Sequence, residues 1–221
     1  ALYEKVVVAV NTGGLVDLSF MDEYENIRAL LQIVQPGMEG GHAFADLVSG
    51  KATPCGKLTD TWAFQYGDYP NAENFSHNNG DVEHEVYREG IYVGYRYFDT
   101  FEIPVRYSFG YGLSYTEFSL ETGSVSYDKE KKSLGIAVNV TNRGGTWSGR
   151  EVVQAYVSCP QGGLEKEHRR LAAFEKTPML EPGGSVRLTL EMPLDRLTTY
   201  DEREPGWVLE PGSYGIWVGS S

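Results

Sequence analysis

Cysteine is nearly absent: Cys55 and Cys159 are the only two in 221 residues. They lie about a hundred positions apart in stretches of different character, so neither a disulfide framework nor a cysteine metal site is suggested. Both read as plain buried or half-buried thiols. Long apolar runs are missing as well. The densest, Val6 to Val10 and Ala29 to Val34, fall far short of the roughly 20 residues that cross a bilayer as a helix, so no membrane partner is expected. Basic residues are scarce, with 19 Lys and Arg against 31 Asp and Glu for a net charge of -12. A polyanion is repelled by such a field, and the longest basic cluster is the pair Arg169 and Arg170 with its neighbours, so nucleic acid is an unfavourable partner. The opening Ala-Leu-Tyr-Glu-Lys carries no charged-then-apolar leader and runs almost at once into a strand pattern, which suggests a piece of a longer protein.

What is present falls into two grammars. The first is α/β. Lys5 to Val10 is a β-branched run of the kind covered on both faces, and Asn11-Thr-Gly-Gly14 stops it. Between Asp22 and Val34 the periodicities conflict: Ile27, Leu30, Leu31 and Val34 fit a helix, yet the apolar stretch before Gln35-Pro36-Gly37 equally suits a buried strand. A helical turn near 19–25 and a strand near 28–34 reconcile them. Gly40 to Val48 then reads as a helix with Ala43, Phe44, Leu47 and Val48 on one face and Gly50 ending it. Asp68 to Glu85 is polar and rich in Asn, Gly and Asp, a long surface excursion. The 32 residues from Tyr87 to Phe118 hold 11 Tyr or Phe.

After about Glu117 the grammar is pure β. Leu134, Ile136, Val138 and Val140 alternate with small or polar residues, and so do Val186, Leu188, Leu190 and Met192. Further strands are expected at Glu151–Ser158, Leu171–Lys176, Trp207–Leu209 and Tyr214–Val218. Matching Pro-Gly turns follow Leu180 and Leu209. About seven short strands in about 100 residues is the pattern of an immunoglobulin-like or fibronectin type III-like sandwich. Leu209-Glu-Pro-Gly-Ser-Tyr214 resembles a tyrosine corner.

Five blocks occur in the order seen in glycoside hydrolase family 3: Val6-Val-Val-Ala-Val-Asn-Thr-Gly-Gly14, Gln35-Pro-Gly-Met-Glu-Gly-Gly41, Pro54-Cys-Gly-Lys-Leu58, Tyr87 to Asp99, and Ser108-Phe-Gly-Tyr-Gly-Leu-Ser-Tyr115. Val138-Asn-Val-Thr-Asn142, Gly149 to Val157 and Leu209 to Gly219 resemble the fibronectin type III-like domain of the same family. The wording Lys57 to Trp62 is similar to bacterial members whose barrel follows the sandwich. The resemblance implies an α/β fold followed by an all-β one: a partial α/β sandwich layer over residues 1–117 and a fibronectin type III-like β-sandwich over 118–221. It also implies a whole protein that hydrolyses terminal β-linked glucosides with retention, needs no cofactor or metal, and takes a β-glucoside or oligosaccharide as substrate. Retention requires two carboxylates about 5 Å apart. In the family the nucleophilic Asp lies on a (β/α)8 barrel and the acid/base Glu just upstream of the strand that opens this chain. Neither motif is in this sequence, so no catalytic residue is expected here and the missing barrel is the expected partner.

Glu89 stands before a glycine among Tyr87, Tyr92 and Tyr95, a setting that can suit an acid. Against this, it can simply bond Arg96 or backbone amides beside the domain junction, which is the favoured reading. The aromatic run, with Tyr92 and Tyr97, is either a stacking surface for sugar rings or the interface between the two halves, and the second is favoured. Glu89, Tyr92, Tyr97 and His84 are the expected substrate contacts if any exist. His77, Asp81, Glu83, His84 and Glu85 form a histidine–carboxylate cluster whose spacing matches no recognised metal site, leaving a solvated loop or the mouth of the pocket, near the aglycone. Gly37, Gly40 and Gly41 suit a strand-to-helix turn better than a phosphate cradle. Asn74-Phe-Ser and Asn139-Val-Thr match the glycosylation pattern, a triplet common by chance. A carbohydrate-binding module using the Tyr-rich stretch is the rival reading. An adhesion domain is a third, and it leaves the first 117 residues unexplained.

Overall fold

The computed structural model describes residues 2–75 and 80–220. The first half begins with β1 (Val6–Val10), a 3-10 turn at Ser19–Asp22, β2 (Ile27–Gln32) and α1 (Gly40–Val48). Strands β1 and β2 pair in parallel, with Val8 opposite Leu30 and Val10 opposite Gln32. The conflict of periodicities before Gln35 is thus resolved as a turn followed by a strand. The reading of β1 as covered on both faces is corrected: Val7 is 42% exposed while Val10 is buried, so among the described residues one face of this pair is open. The same holds for α1, where Phe44 and Leu47 are half-buried but Ala43 and Val48 are exposed.

The turn into α1 explains its glycines. Gly37 has φ +72°, and a Cβ on Gly40 meets the ring of Pro36 at 2.4 Å. At the far end Gly50, φ +76°, donates its N–H to the Leu47 carbonyl, and a Cβ there meets the Trp147 ring at 2.9 Å. A short antiparallel pair, β3 (Trp62–Ala63) with β4 (Val105–Tyr107), brackets the excursion and α2 (Tyr95–Thr100). Val10, Leu18 and Trp62 are the buried centre of this half, with Leu30, Leu58 and Tyr107 packed around them.

The second half is a sandwich. One sheet has the order β5 (Phe118–Asp128), β6 (Ser133–Asn142), β9 (Ser185–Pro193). The other is β12 (Gly215–Gly219), β7 (Val152–Ser158), β8 (Arg170–Lys176). All these pairs are antiparallel. Ile136, Val138 and Val140 of one sheet and Val153, Ala155 and Val157 of the other are at most 1% exposed and meet in a single core with Leu190 and Met192. β9 shows the alternation expected when a strand buries one face, whereas β7 is buried on both, with Gln154 and Tyr156 covered on the side away from this core. A separate ribbon, β10 (Thr199–Asp201) with β11 (Gly206–Val208), joins neither sheet among the described residues. The tyrosine corner is present: the Tyr214 hydroxyl donates to the Glu210 carbonyl at 2.7 Å. No helix of the described residues is long and apolar enough to cross a membrane.

Both cysteines are free, Cys55 half-buried and Cys159 buried. Burial pushes the Cys159 thiol up, and thiolate is the reactive form. At neutral pH dithionitrobenzoate is expected to titrate one thiol in the native chain and the second only in denaturant. Two fast thiols would contradict this burial.

Candidate functional site

The expected contacts sit around α2 and the segment that enters it. Two left-handed glycines, Gly90 (φ +58°) and Gly94 (φ +56°), turn the chain sharply on either side of Tyr92, and the Tyr92 N–H donates to the Glu89 carbonyl at 3.0 Å. Tyr92 and Tyr97 are brought together on one partner: both rings contact Phe101, with centroids at 5.0 and 5.2 Å. Tyr97 also meets Phe98 at 5.4 Å. Burial, together with a hydrogen bond to Glu165, raises the Tyr92 phenol above its usual range. Glu89 is half-buried at the start of this turn. The suggestion that it bonds Arg96 is not what the side chains show, because Arg96 lies 3.8 Å from Glu167 instead.

His84 is apart from this group. It is exposed and its Nδ1 lies 3.1 Å from Asp81 Oδ2. Asp81 also accepts the N–H groups of Glu83 and His84, so the carboxylate organises its own loop. His77 lies outside the described residues. Among the described residues no group of three or more His, Cys, Asp or Glu is arranged to hold a metal ion. At the carboxyl ends of β1 and β2 an open cleft of about 680 Å³ is lined by Asn11, Gln35, Gly37, Gly41 and Phe44.

The rest of the aromatic run is spent on the junction between the halves. Tyr95 packs between Phe109 at 4.8 Å and Tyr156 at 5.8 Å, and its hydroxyl accepts the Leu171 N–H at 2.7 Å. Burial pushes the Tyr156 phenol up to about 12. It therefore stays neutral and donates to Gln154 at 2.7 Å. Arg169 lies over the Tyr156 ring at 4.9 Å and donates to Asp99 at 2.7 Å. Gly110, φ +82°, leaves room for the Gln154 amide, which a Cβ there would meet at 2.5 Å.

Several carboxylates missed in the sequence turn out to be committed to cations. Glu151 lies 2.9 Å from Lys57 and Asp99 pairs with Arg169. Glu167, 3% exposed, pairs with Arg170, and Glu210 with Lys166. The hydrogen bond from Lys166 holds the Glu210 carboxyl below its usual range. Asp22 is likewise lowered by Arg106, whose guanidinium grips it through two nitrogens and lies 5.1 Å from the Phe64 centroid. Apart from Glu167 and Arg170, which are three residues apart, these partners are distant in sequence, and only the tertiary fold reveals them.

Residues 1–95 match the model of the glycosyl hydrolase family 3 C-terminal domain, and residues 151–221 that of a fibronectin type III-like domain. Beta-glucosidase A of Butyrivibrio fibrisolvens is 39% identical over 99% of this chain and 28% of its own length. A beta-glucosidase of Ruminococcus albus is 40% identical over 99% of the chain and 23% of its own. The crystal structure of a beta-glucosidase from Paenibacillus barengoltzii superposes with a TM-score of 0.92 at 43% identity, covering 99% of this chain and 24% of that one. Beta-glucosidase 3B of Thermotoga neapolitana, solved with α-D-glucose, gives 0.89 at 38% identity over 98% of this chain and 29% of that one. The chain thus spans under a third of the length of each of these relatives, and with both its α/β half and its sandwich matched in order it belongs to glycoside hydrolase family 3.

Proposed function

We propose that this chain is the non-barrel part of a retaining β-glucosidase that removes terminal β-linked glucosyl residues, with a division at 117/118 between a partial α/β layer and the fibronectin type III-like domain. Its task is scaffolding: it supports the (β/α)8 barrel and walls the substrate pocket, while nucleophile and acid/base come from elsewhere. The observation that carries this reading is coverage. Nearly all of the chain aligns with only 28% of a beta-glucosidase, so most of the relative's length has no counterpart in these residues. The fate of the buried carboxylates supports it further. Retention needs one carboxyl kept protonated and a second about 5 Å away that stays ionised and attacks. Glu151, Glu167 and Asp99 are instead each held in an ion pair, a use that suits holding a fold together.

The rival carbohydrate-binding reading placed sugar on the Tyr-rich stretch. Its rings stack on one another and on Tyr156, which favours the junction over a sugar platform there. Incubated with p-nitrophenyl β-glucoside, the purified chain is expected to release no nitrophenol above a buffer control. Release that scales with protein concentration and survives repurification sinks the scaffold reading.

A further inference from the structure

The β10–β11 ribbon is anchored on one side and bare on the other. Arg170 holds its underside, donating to the Thr198 carbonyl at 2.6 Å and to the Thr199 hydroxyl at 3.4 Å, and Thr199 is 6% exposed. On the opposite face Tyr200 and Trp207 are directly paired across the strands. Trp207 is 71% and Tyr200 46% exposed. Their rings stand 5.4 Å apart and 69° to one another, so one flat face is offered with an aromatic wall beside it. At the turn Asp201 accepts the Arg203 N–H and its Nε, which fixes the ribbon end and presents a guanidinium that is 77% exposed.

We propose that this ribbon is a carbohydrate-binding platform for a neutral β-linked glucose oligomer, with the C–H face of a pyranose on the Trp207 indole and Tyr200 as the side wall. Asp201 and Arg203 supply the kind of polar groups that bond ring hydroxyls. Three observations select this occupant. Within these residues the Trp207 indole is left uncovered, and an uncovered large aromatic marks a binding surface, since Trp is otherwise mostly buried. The exposed parts of two aromatic side chains come to roughly 200–300 Å², against the ~800 Å² per partner of a stable protein interface, so a second copy is too large an occupant. The chain's charge of -12 disfavours a polyanion. The glucose class of the ligand rests on the function proposed above.

Affinity electrophoresis of the whole chain through gels containing soluble mixed-linkage β-glucan tests this. The wild-type chain is expected to be retarded, W207A to lose about tenfold or more in affinity, and Y200A to lose several-fold. W207F, which keeps a ring, should retain most of the retardation. Far-UV circular dichroism of each variant should match the wild type, and because the two alanine variants lie on different strands, one misfolded protein does not decide the outcome. An unretarded wild type, or W207A retarded equally, overturns the platform. So does a wild-type dimer in sedimentation equilibrium that W207A converts to monomer, which would assign the patch to self-association. The aryl-glucoside assay reads separately: hydrolysis there sinks the scaffold reading, whereas a silent glucan gel sinks only the platform.

Discussion

Asn142→Leu is expected to destabilise the chain by about 4 kcal/mol, a large part of the roughly 5–15 kcal/mol that holds a typical domain folded. Asn142 is fully buried at the end of β6. Its amide nitrogen donates to the carbonyls of Trp147 and Leu180, both at 2.9 Å, and its oxygen accepts from the Thr116 hydroxyl at 2.5 Å and the Gly144 N–H at 3.0 Å. One side chain therefore satisfies four groups that close the end of the sandwich. Leucine has a similar volume but leaves the Thr116 hydroxyl, the Gly144 N–H and the Trp147 carbonyl without this partner, while the Leu180 carbonyl keeps only the Gly149 N–H, and each orphan costs about 1–3 kcal/mol when water cannot reach it. Urea unfolding checks the result as a fall in midpoint at constant slope.

Asn142→Asp separates hydrogen bonding from packing. It keeps both accepted bonds but turns a carboxylate oxygen toward the Trp147 and Leu180 carbonyls. That contact favours the protonated form and raises the folded-state pKa above the usual Asp value near 3.9. The penalty is then smallest below about pH 4 and grows as pH rises through the folded pKa. A penalty that does not change with pH would show that the four bonds are not what holds this corner.

The second large effect is at the pair Lys57 and Glu151. Their side chains are 13% and 10% exposed and 2.9 Å apart. Lys57 also donates to the Gly112 carbonyl at 2.8 Å, while Glu151 accepts the Val152 N–H at 2.7 Å. Removing either partner strands the other charge away from water, and Lys57→Met or Glu151→Leu alone is expected to cost about 3 kcal/mol. The double variant Lys57→Met with Glu151→Leu should lie closer to the wild type than either single change, because an apolar pair of similar volume replaces a buried ion pair at little net cost. Strictly additive losses in thermal unfolding would mean that the two charges do not interact.

Asn142 also illustrates what sequence can and cannot reveal. β6 and β9 were legible because their alternation reports one buried face, and Ile136, Val138, Leu190 and Met192 are indeed at most 1% exposed. The polar residue that ends β6 looks like any turn former, and its four partners are set by the fold. β5 is not among the expected strands, and only the change of grammar after about Glu117 points to it. From Glu121 onward it is exposed, so no burial pattern is imprinted on Glu121, Thr122, Gly123 and Ser124. Gly40 and Gly50 were readable as helix boundaries because backbone geometry restricts the residue type. Around the candidate site, sequence located the aromatic cluster and favoured a junction role, but proximity suggested Arg96 for Glu89 whereas the fold pairs Arg96 with Glu167. Ion pairs such as Lys57 with Glu151 have no periodicity to betray them, and their signal is purely tertiary.

The bonds that tie α2 to the strand entering β8 have a practical bearing on recombination between relatives. Tyr95, Asp99 and Thr100 receive hydrogen bonds from Leu171, Arg169 and His168 respectively. Tyr115 and Lys176 reach back to the carbonyls of Leu47 and Cys55. A chimera spliced where the first sandwich strand starts would graft a foreign face onto Tyr95 and orphan each of these attachments except the bond from Tyr115 to Leu47, whose partners both precede the splice. A crossover placed upstream of Gly94 transplants the sandwich together with the α2 socket that receives it, and the recipient then has to match β3 to β4 and Asp22 to Arg106 as well as the Leu47, Cys55 and Lys57 attachments.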